Sequence, residues 1–229
     1  MRKLIIAVLS FVLVMTLLVC LFLCWISEPL PEGKKGPEAT LIAEKMAEAL
    51  NKPAFDSIHF ISWEFGNHRY EWFKKVDSVQ VNWAKSEVFF STITMQGSAK
   101  ENGVILIGDL EVAAIQKAWA YFANDSFWLV APYKIRDPGT VLTSIELPTG
   151  HGLLVTFLEG GVTPGDSYLW MLDDNYFPIG WKMWVKILPV GGVKSKWLGW
   201  HQDQGAWFPG NFQTLSFFKR QIKSLEVRS

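Results

Sequence analysis

The chain has 229 residues, and its 22 basic residues balance its 22 acidic ones. That balance excludes the basic footprint of a nucleic-acid binder, and net charge makes no case for an acidic substrate or a lipid surface. The unusual feature is 12 tryptophans and 16 phenylalanines, side chains that suit a sheet core, a binding cleft or a membrane interface.

Arg2 and Lys3 precede an uncharged run from Leu4 to Ile26. About 20 apolar residues cross a hydrocarbon core, whereas a cleavable signal has an apolar core of roughly 7–15 and a small-residue exit. The exit here is Trp25-Ile26-Ser27. Residues 1–26 therefore predict an uncleaved transmembrane anchor. Its rival is lipoprotein processing at Cys20, although Val19 stands where such sites usually carry a small residue. The two N-terminal cations place the start of the chain in the cytoplasm and the rest on the extracytoplasmic, periplasmic side. Cys20 and Cys24 both fall in this run, which leaves the body without a disulfide framework or a cysteine-based site. Residues 27–37, SEPLPEGKKGP, read as a polar tether.

Residues 38–229 read as one domain. Glu38 to Asn51 has Leu41, Ile42, Met46 and Leu50 near helical spacing and charge opposite, which predicts an amphipathic helix ending before Pro53. Val79, Val81 and Trp83 then alternate with polar residues, as one face of a strand does. Glu101-Asn102-Gly103 is a turn signal. Leu110 to Ala123 predicts a second helix with Ala114, Ile115, Ala118, Trp119 and Phe122 on one stripe. Beyond it, Leu153, Val155 and Phe157 share a face. So do Ile179, Trp181, Met183, Val185 and Ile187, with Lys182 and Lys186 opposite. Such alternation is the mark of antiparallel sheet with one buried face. The expected class is α+β, a curled antiparallel sheet whose concave face is covered by helices, behind one transmembrane helix. No internal repeat or low-complexity tract interrupts it.

Motifs for chemistry are scarce. GGVTPGD, within Glu159 to Asp166, lacks the Lys-Ser/Thr of a phosphate-binding loop, and no glycine follows Ser167 as a nucleophile elbow requires. Asp173 and Asp174 supply turn chemistry and lack the further oxygen ligands of a calcium loop. His59, His68, His151 and His201 have no metal-ligand spacing. The loop reads as a connector. No cofactor or metal is implied, and an esterase-like enzyme would need a nucleophile and base that no motif offers.

Two stretches carry a resemblance. NDSFWLVAPYKIRDPG, Asn124 to Gly139, and GGVTPGDSYLW with the following turn, Pro178 and Trp181, resemble paired motifs of a group of uncharacterised bacterial envelope proteins. That group is similar in fold to the lipoprotein carrier (LolA/LolB-like) superfamily. The resemblance spans roughly residues 58–190 and implies a half-barrel lidded by helices that holds acyl chains in an apolar cavity. The helical anchor departs from the soluble or lipidated carriers and sits poorly with free shuttling. Within the first motif, Lys134, Arg136 and Asp137 suggest an ion-paired strand end or a head-group contact, and Trp128 and Trp170 suggest packing. The functional expectation is non-enzymatic binding of a lipid, an acylated protein or another lipophilic ligand by a membrane-attached domain. The candidate ligand residues are Val79, Val81, Trp83, Trp119, Phe122, Trp181, Met183 and Val185, all expected on the concave face. The alternative is an envelope scaffold with a fully packed core, and a void of about 300 Å³ or more between sheet and helices separates the two.

Overall fold

The computed structural model describes residues 2–229. The first helix, α1 (Arg2–Ile26), is long and apolar enough to cross a membrane. Helix α2 (Pro37–Ala49) begins with proline at its first turn, where the missing N–H costs nothing. It buries Ala39, Ile42, Ala43 and Met46 but leaves Leu41 half exposed. The chain turns at Asn51 in the left-handed region and makes a second short helix, α3 (Lys52–Ser57), so Pro53 starts a helix as well as following one.

Six strands follow as sequential hairpins: β1 (Phe60–Phe65), β2 (His68–Phe73), β3 (Ser78–Trp83), β4 (Ser86–Ser91), β5 (Gly97–Glu101) and β6 (Val104–Ile105). The β5–β6 turn is Asn102-Gly103, both at positive φ, as the sequence signal requires. Helix α4 (Asp109–Val130) leads to β7 (Thr140–Ile145), β8 (His151–Phe157), β9 (Asp166–Leu172), β10 (Pro178–Trp184) and β11 (Val193–Leu198). A small hairpin, β12 (His201–Asp203) and β13 (Ala206–Phe208), stands apart before β14 (Asn211–Thr214) and β15 (Phe218–Arg228).

The main sheet has 13 strands in the order β6-β5-β4-β3-β2-β1-β15-β14-β11-β10-β9-β8-β7. All its pairings are antiparallel. The long last strand joins the two meanders, pairing with β14 through its first half and with β1 through its second. One face of this curved sheet is the core, filled by Trp63, Tyr70, Val81, Phe90, Trp170 and Trp181 against α4 and α2. The class is the expected α+β sheet with helices in its concavity.

Two readings need correction in detail. Helix α4 runs seven residues past Ala123, so FWLV is its last turn and not a strand, and the chain leaves it through a 3-10 turn at Ala131–Tyr133. The register of β10 against β9 shifts between Pro178 and Gly180, a bulge that turns Ile179 out to solvent. Ile187 lies beyond the strand and is 74% exposed, so only Trp181, Met183 and Val185 of the five keep the inner face.

The tether is bound along the sheet. Glu28 hydrogen-bonds Gly191 and, through its carboxylate, Lys182. Lys34 pairs in both directions with Ser144 on the β7 edge. Between these ends lie Leu154 and Leu169, buried on the convex face with Ile145 and packed against Trp184. The close approach needs glycine at both ends: a Cβ on Gly33 would overlap the Ser144 carbonyl, and one on Gly191 would overlap Trp184 and the Glu28 carbonyl. Gly191→Val should therefore cost about 1–3 kcal/mol. Urea unfolding should show the loss, and limited proteolysis should newly cut within residues 27–36. A variant as stable and as protease-resistant as the parent would mean that the segment is only loosely laid on the sheet.

Candidate functional site

Helix α4 is the partition of the concave face. Its first half packs Ile115 and Ala118 over β3, β4 and β5. Phe122 then meets Trp63, Tyr70 and Trp72, with ring centroids 6.1, 6.3 and 5.4 Å away. Farther along, Phe127 lies 4.4 Å from Tyr168, and Trp128 stacks on Phe212 at 4.7 Å and meets Trp181 at 5.5 Å. Trp181 in turn lies 4.2 Å from Trp197, which stacks on Trp170 at 5.3 Å. The high tryptophan content is spent largely on this seam.

On either side of the helix the wall residues leave a cleft, and the two clefts share Asn124 and Trp128. The first, about 660 Å³, has an apolar floor of Phe65, Trp128, Met183, Val193 and Phe212. Its rim is Leu188, Leu215, Phe217 and Phe218, and its polar groups are Asn67, His68, Asn124, Asp125, Thr214 and Arg220. The second, about 570 Å³, is walled by Trp72, Trp119, Phe122, Phe127, Phe157 and Tyr168. Residues Glu159 to Thr163 close one side of it.

The polar side of the first cleft is organised by one buried carboxylate. Asp125 accepts the Tyr70 hydroxyl at 2.5 Å on Oδ2, which also lies 2.8 Å from His68 Nδ1. Its Oδ1 accepts the Asn124 amide at 2.8 Å. His68 stacks on Tyr121 with centroids 4.1 Å apart. Burial first, and the adjacent Asp125 charge second, push the Tyr70 phenol far above its ordinary range. The cluster holds α4 to β2. As chemistry it is incomplete: among the described residues no serine, threonine or cysteine side chain hydrogen-bonds His68. Nor do three or more His, Cys, Asp or Glu side chains gather there as a metal would need.

Arg220 stands at the mouth, its guanidinium 5.0 Å from the Phe218 ring and 5.7 Å from Phe65. No carboxylate among the described residues forms an ion pair with it. The charged group after α4 is internally satisfied: Lys134 pairs with Asp137 at 2.5 Å and Arg136 with Glu44 at 3.5 Å. In the GGVTPGD loop, Asp166 is buried and accepts Thr163 Oγ1 at 2.5 Å and the Lys186 N–H at 3.0 Å. That carboxylate is a fastening. Asp173 behaves as its turn requires, accepting the N–H groups of Asn175 and Phe177 at 2.9 Å each.

All eight residues singled out in the sequence lie on the side of the sheet that α4 covers, or on α4 itself. Trp83 reaches it through Tyr121 at 5.4 Å and Trp181 through Trp128. Met183 lines the first cleft, and Trp119 and Phe122 line the second. Val79, Val81, Trp83, Trp181 and Val185 line neither and form the packed layer around them. Sequence reasoning weighed His68 only as a metal ligand and did not single out Phe65, Asp125, Phe212 or Arg220. Only Phe65 carried a signal, as the end of an apolar alternation with Ile61 and Trp63.

No family model matches the chain. No curated protein matches it either. Among solved structures, one from Vibrio parahaemolyticus, provisionally described as an outer membrane lipoprotein-sorting protein domain, aligns with a TM-score of 0.37 and 9% identity. The alignment covers 82% of this chain and 94% of that one. That score is too low to place the two in one fold, so the architecture rests on the coordinates above.

The packing makes two checks possible. Trp181→Ala should cost about 3–5 kcal/mol in urea unfolding, while Ile187→Ala on the surface should stay within about 0.5. Equal costs would mean that the inner face is misassigned. The second check is alkaline. Burial raises the phenol pKa of Tyr70, Tyr133 and Tyr168. Their contribution to stability is therefore complete below the ordinary phenol pKa of about 10 and is lost as pH rises above it. Absorbance at tyrosinate wavelengths should show these three ionising only together with loss of near-UV circular dichroism. Full ionisation in the intact fold would refute their burial.

Proposed function

We propose that the chain is a membrane-anchored extracytoplasmic protein that holds one amphiphile, a lipid or an acylated protein, in its concave face and performs no covalent chemistry. The carrying observation is the first cleft. It offers about 660 Å³ over an apolar floor, bordered by the hydrogen-bonded group of His68, Asp125 and Asn124 and by the Arg220 guanidinium. Both clefts exceed the roughly 300 Å³ expected of ligand sites, which favours a binder over a fully packed scaffold. Burial of acyl chain at about 25 cal/mol per Å² would supply the affinity, and Arg220 with Asn67 would face the head group. Met183 belongs to this wall, and Trp119 and Phe122 to the neighbouring one. The remaining five candidates, Val79, Val81, Trp83, Trp181 and Val185, would act by holding that wall in place. Helix α1 and the Arg2-Lys3 pair support the anchor and its sidedness, and the resemblance of the Asn124–Gly139 and GGVTPGD motifs to envelope proteins points the same way.

Mass spectrometry of organic extracts from natively purified protein should find a co-purifying lipid. The chain lacking residues 1–26 should bind an environment-sensitive acyl probe at micromolar affinity or tighter. Phe212→Asp and Met183→Lys should remove binding, because an unpaired charge on an apolar wall is costly. Lys196→Glu on the solvated convex face should not. Circular dichroism must show each variant folded. A folded parent chain that carries no lipid and binds no probe leaves the scaffold reading in its place.

A further inference from the structure

We propose that the mouth of the first cleft is seated in the extracytoplasmic leaflet of the bilayer that α1 crosses, so that lipid enters the cleft directly from the membrane. The inference rests on the anchor reading and adds an orientation to it. The first observation is the absence of slack between helix and sheet. Helix α1 ends at Ile26, and the next two residues are already fastened. Ser27 Oγ accepts the Gly191 N–H at 3.0 Å, and the Glu28 N–H donates to the Gly191 carbonyl at 3.1 Å. The Glu28 carbonyl accepts the Trp184 indole at 2.8 Å, and its carboxylate pairs with Lys182 at 2.5 Å. Two residues reach at most about 7 Å. Wherever the end of α1 lies, the β10–β11 connection lies with it.

The second observation is what that connection carries. Ile187 and Leu188 are exposed on it. The neighbouring β14–β15 turn, tied to β11 by the Leu215 N–H on the Lys194 carbonyl at 3.1 Å, exposes Leu215, Phe217 and Phe218, with Phe217 at 80%. Five large apolar side chains are thus exposed on the connection that holds the helix end and on the turn beside it, and water is a poor neighbour for a patch of that kind. Lys186, Lys194, Lys219 and Arg220 are exposed around it, suited to lipid phosphates. The third observation joins patch to cleft: Leu188, Leu215, Phe217 and Phe218 are themselves the rim of the first cleft. A rim that dips among acyl chains opens the floor of Phe65, Trp128 and Phe212 to them without an aqueous step.

The test uses the full chain with Cys20→Ser and Cys24→Ser, reconstituted in vesicles of phosphatidylcholine and phosphatidylglycerol. A single cysteine at Phe217→Cys carries a polarity-sensitive fluorophore. Ile93→Cys, exposed in the β4–β5 turn at the other end of the strands, is the control. Phe217 is a surface residue, so the label does not threaten folding. The expected result is blue-shifted emission at position 217 that doxyl-labelled phosphatidylcholine quenches, with water-like, unquenched emission at position 93. A position 217 as wet as position 93, in chain that resists extraction by alkaline carbonate, overturns the proposal and leaves the anchor standing. Chain that washes out in carbonate overturns the anchor reading and this inference with it. A dry but unquenched 217 accompanied by crosslinked dimers shows that a second copy covers the rim, which also overturns the proposal.

Discussion

The structure depends on one topological constraint, which is that α4 connects the two edges of the sheet. Strands β6 and β7 are adjacent in sequence order but stand at opposite ends of a 13-strand array. Twelve inter-strand gaps at about 4.8 Å would separate those edges by about 58 Å in a flat sheet. The connector is chiefly a 22-residue helix, about 33 Å long. Links of three residues before the helix and nine after it could make up the difference if fully extended. Curling the sheet instead brings its edges toward the helix, which lies in the concavity and packs against β3, β4 and β5. An antiparallel sheet of this size curls through its inherent twist in any case; the helix fixes how far.

Aromatic rings are the means by which the helix is held there. Each of Trp63, Trp170, Trp181 and Trp200 has an indole N–H that is buried without a partner among the described residues. An orphaned donor costs about 1–3 kcal/mol. Burying about 150–250 Å² of ring at about 25 cal/mol per Å² returns about 4–6, so the trade remains favourable. It is tolerable only where area matters more than polarity, and that is the situation of a helix crossing a wide, curved wall. Large flat rings bridge uneven distances between helix and sheet. They do so at discrete points, Phe122 on one side and Phe127 and Trp128 on the other, and the gaps between those points are the two clefts.

The fold class was legible because period-two alternation survives in a sheet with one wet face, as Val79-Val81-Trp83 and Leu153-Val155-Phe157 demonstrate. The candidate site was legible only as a wall. The second helix is read from the sequence only to Ala123, and the polar Asn124, Asp125 and Ser126 that follow interrupt its apolar stripe. In the fold Asp125 is solvated by Tyr70, 55 positions away, and by His68, 57 positions away, pairings that no local pattern encodes. The bulge at Ile179 was invisible for a related reason. It changes which side chain faces inward without changing the alternation of residue types. The tether misled differently: SEPLPEGKKGP has the composition of a free linker, and its attachment comes from main-chain bonds and two glycines whose value lies in the side chains they lack.

That attachment also reconciles two halves of the sequence that otherwise argue apart. A cleft read as an amphiphile site would belong, by the carrier resemblance, to a protein that moves its cargo through water. A transmembrane helix belongs to proteins that stay. If residues 27–34 were a loose tether, the anchored domain could still tumble and present its cleft in any direction. Bound at Gly191 and again at Ser144, the segment fixes domain to helix across four strands of the convex face, while the clefts lie on the concave one. The helix end, the convex strap and the cleft rim then form one rigid sequence of contacts. On the anchored reading the domain's orientation follows from its own hydrogen bonds, and cargo reaches it by lateral movement in a leaflet instead of by diffusion of the protein.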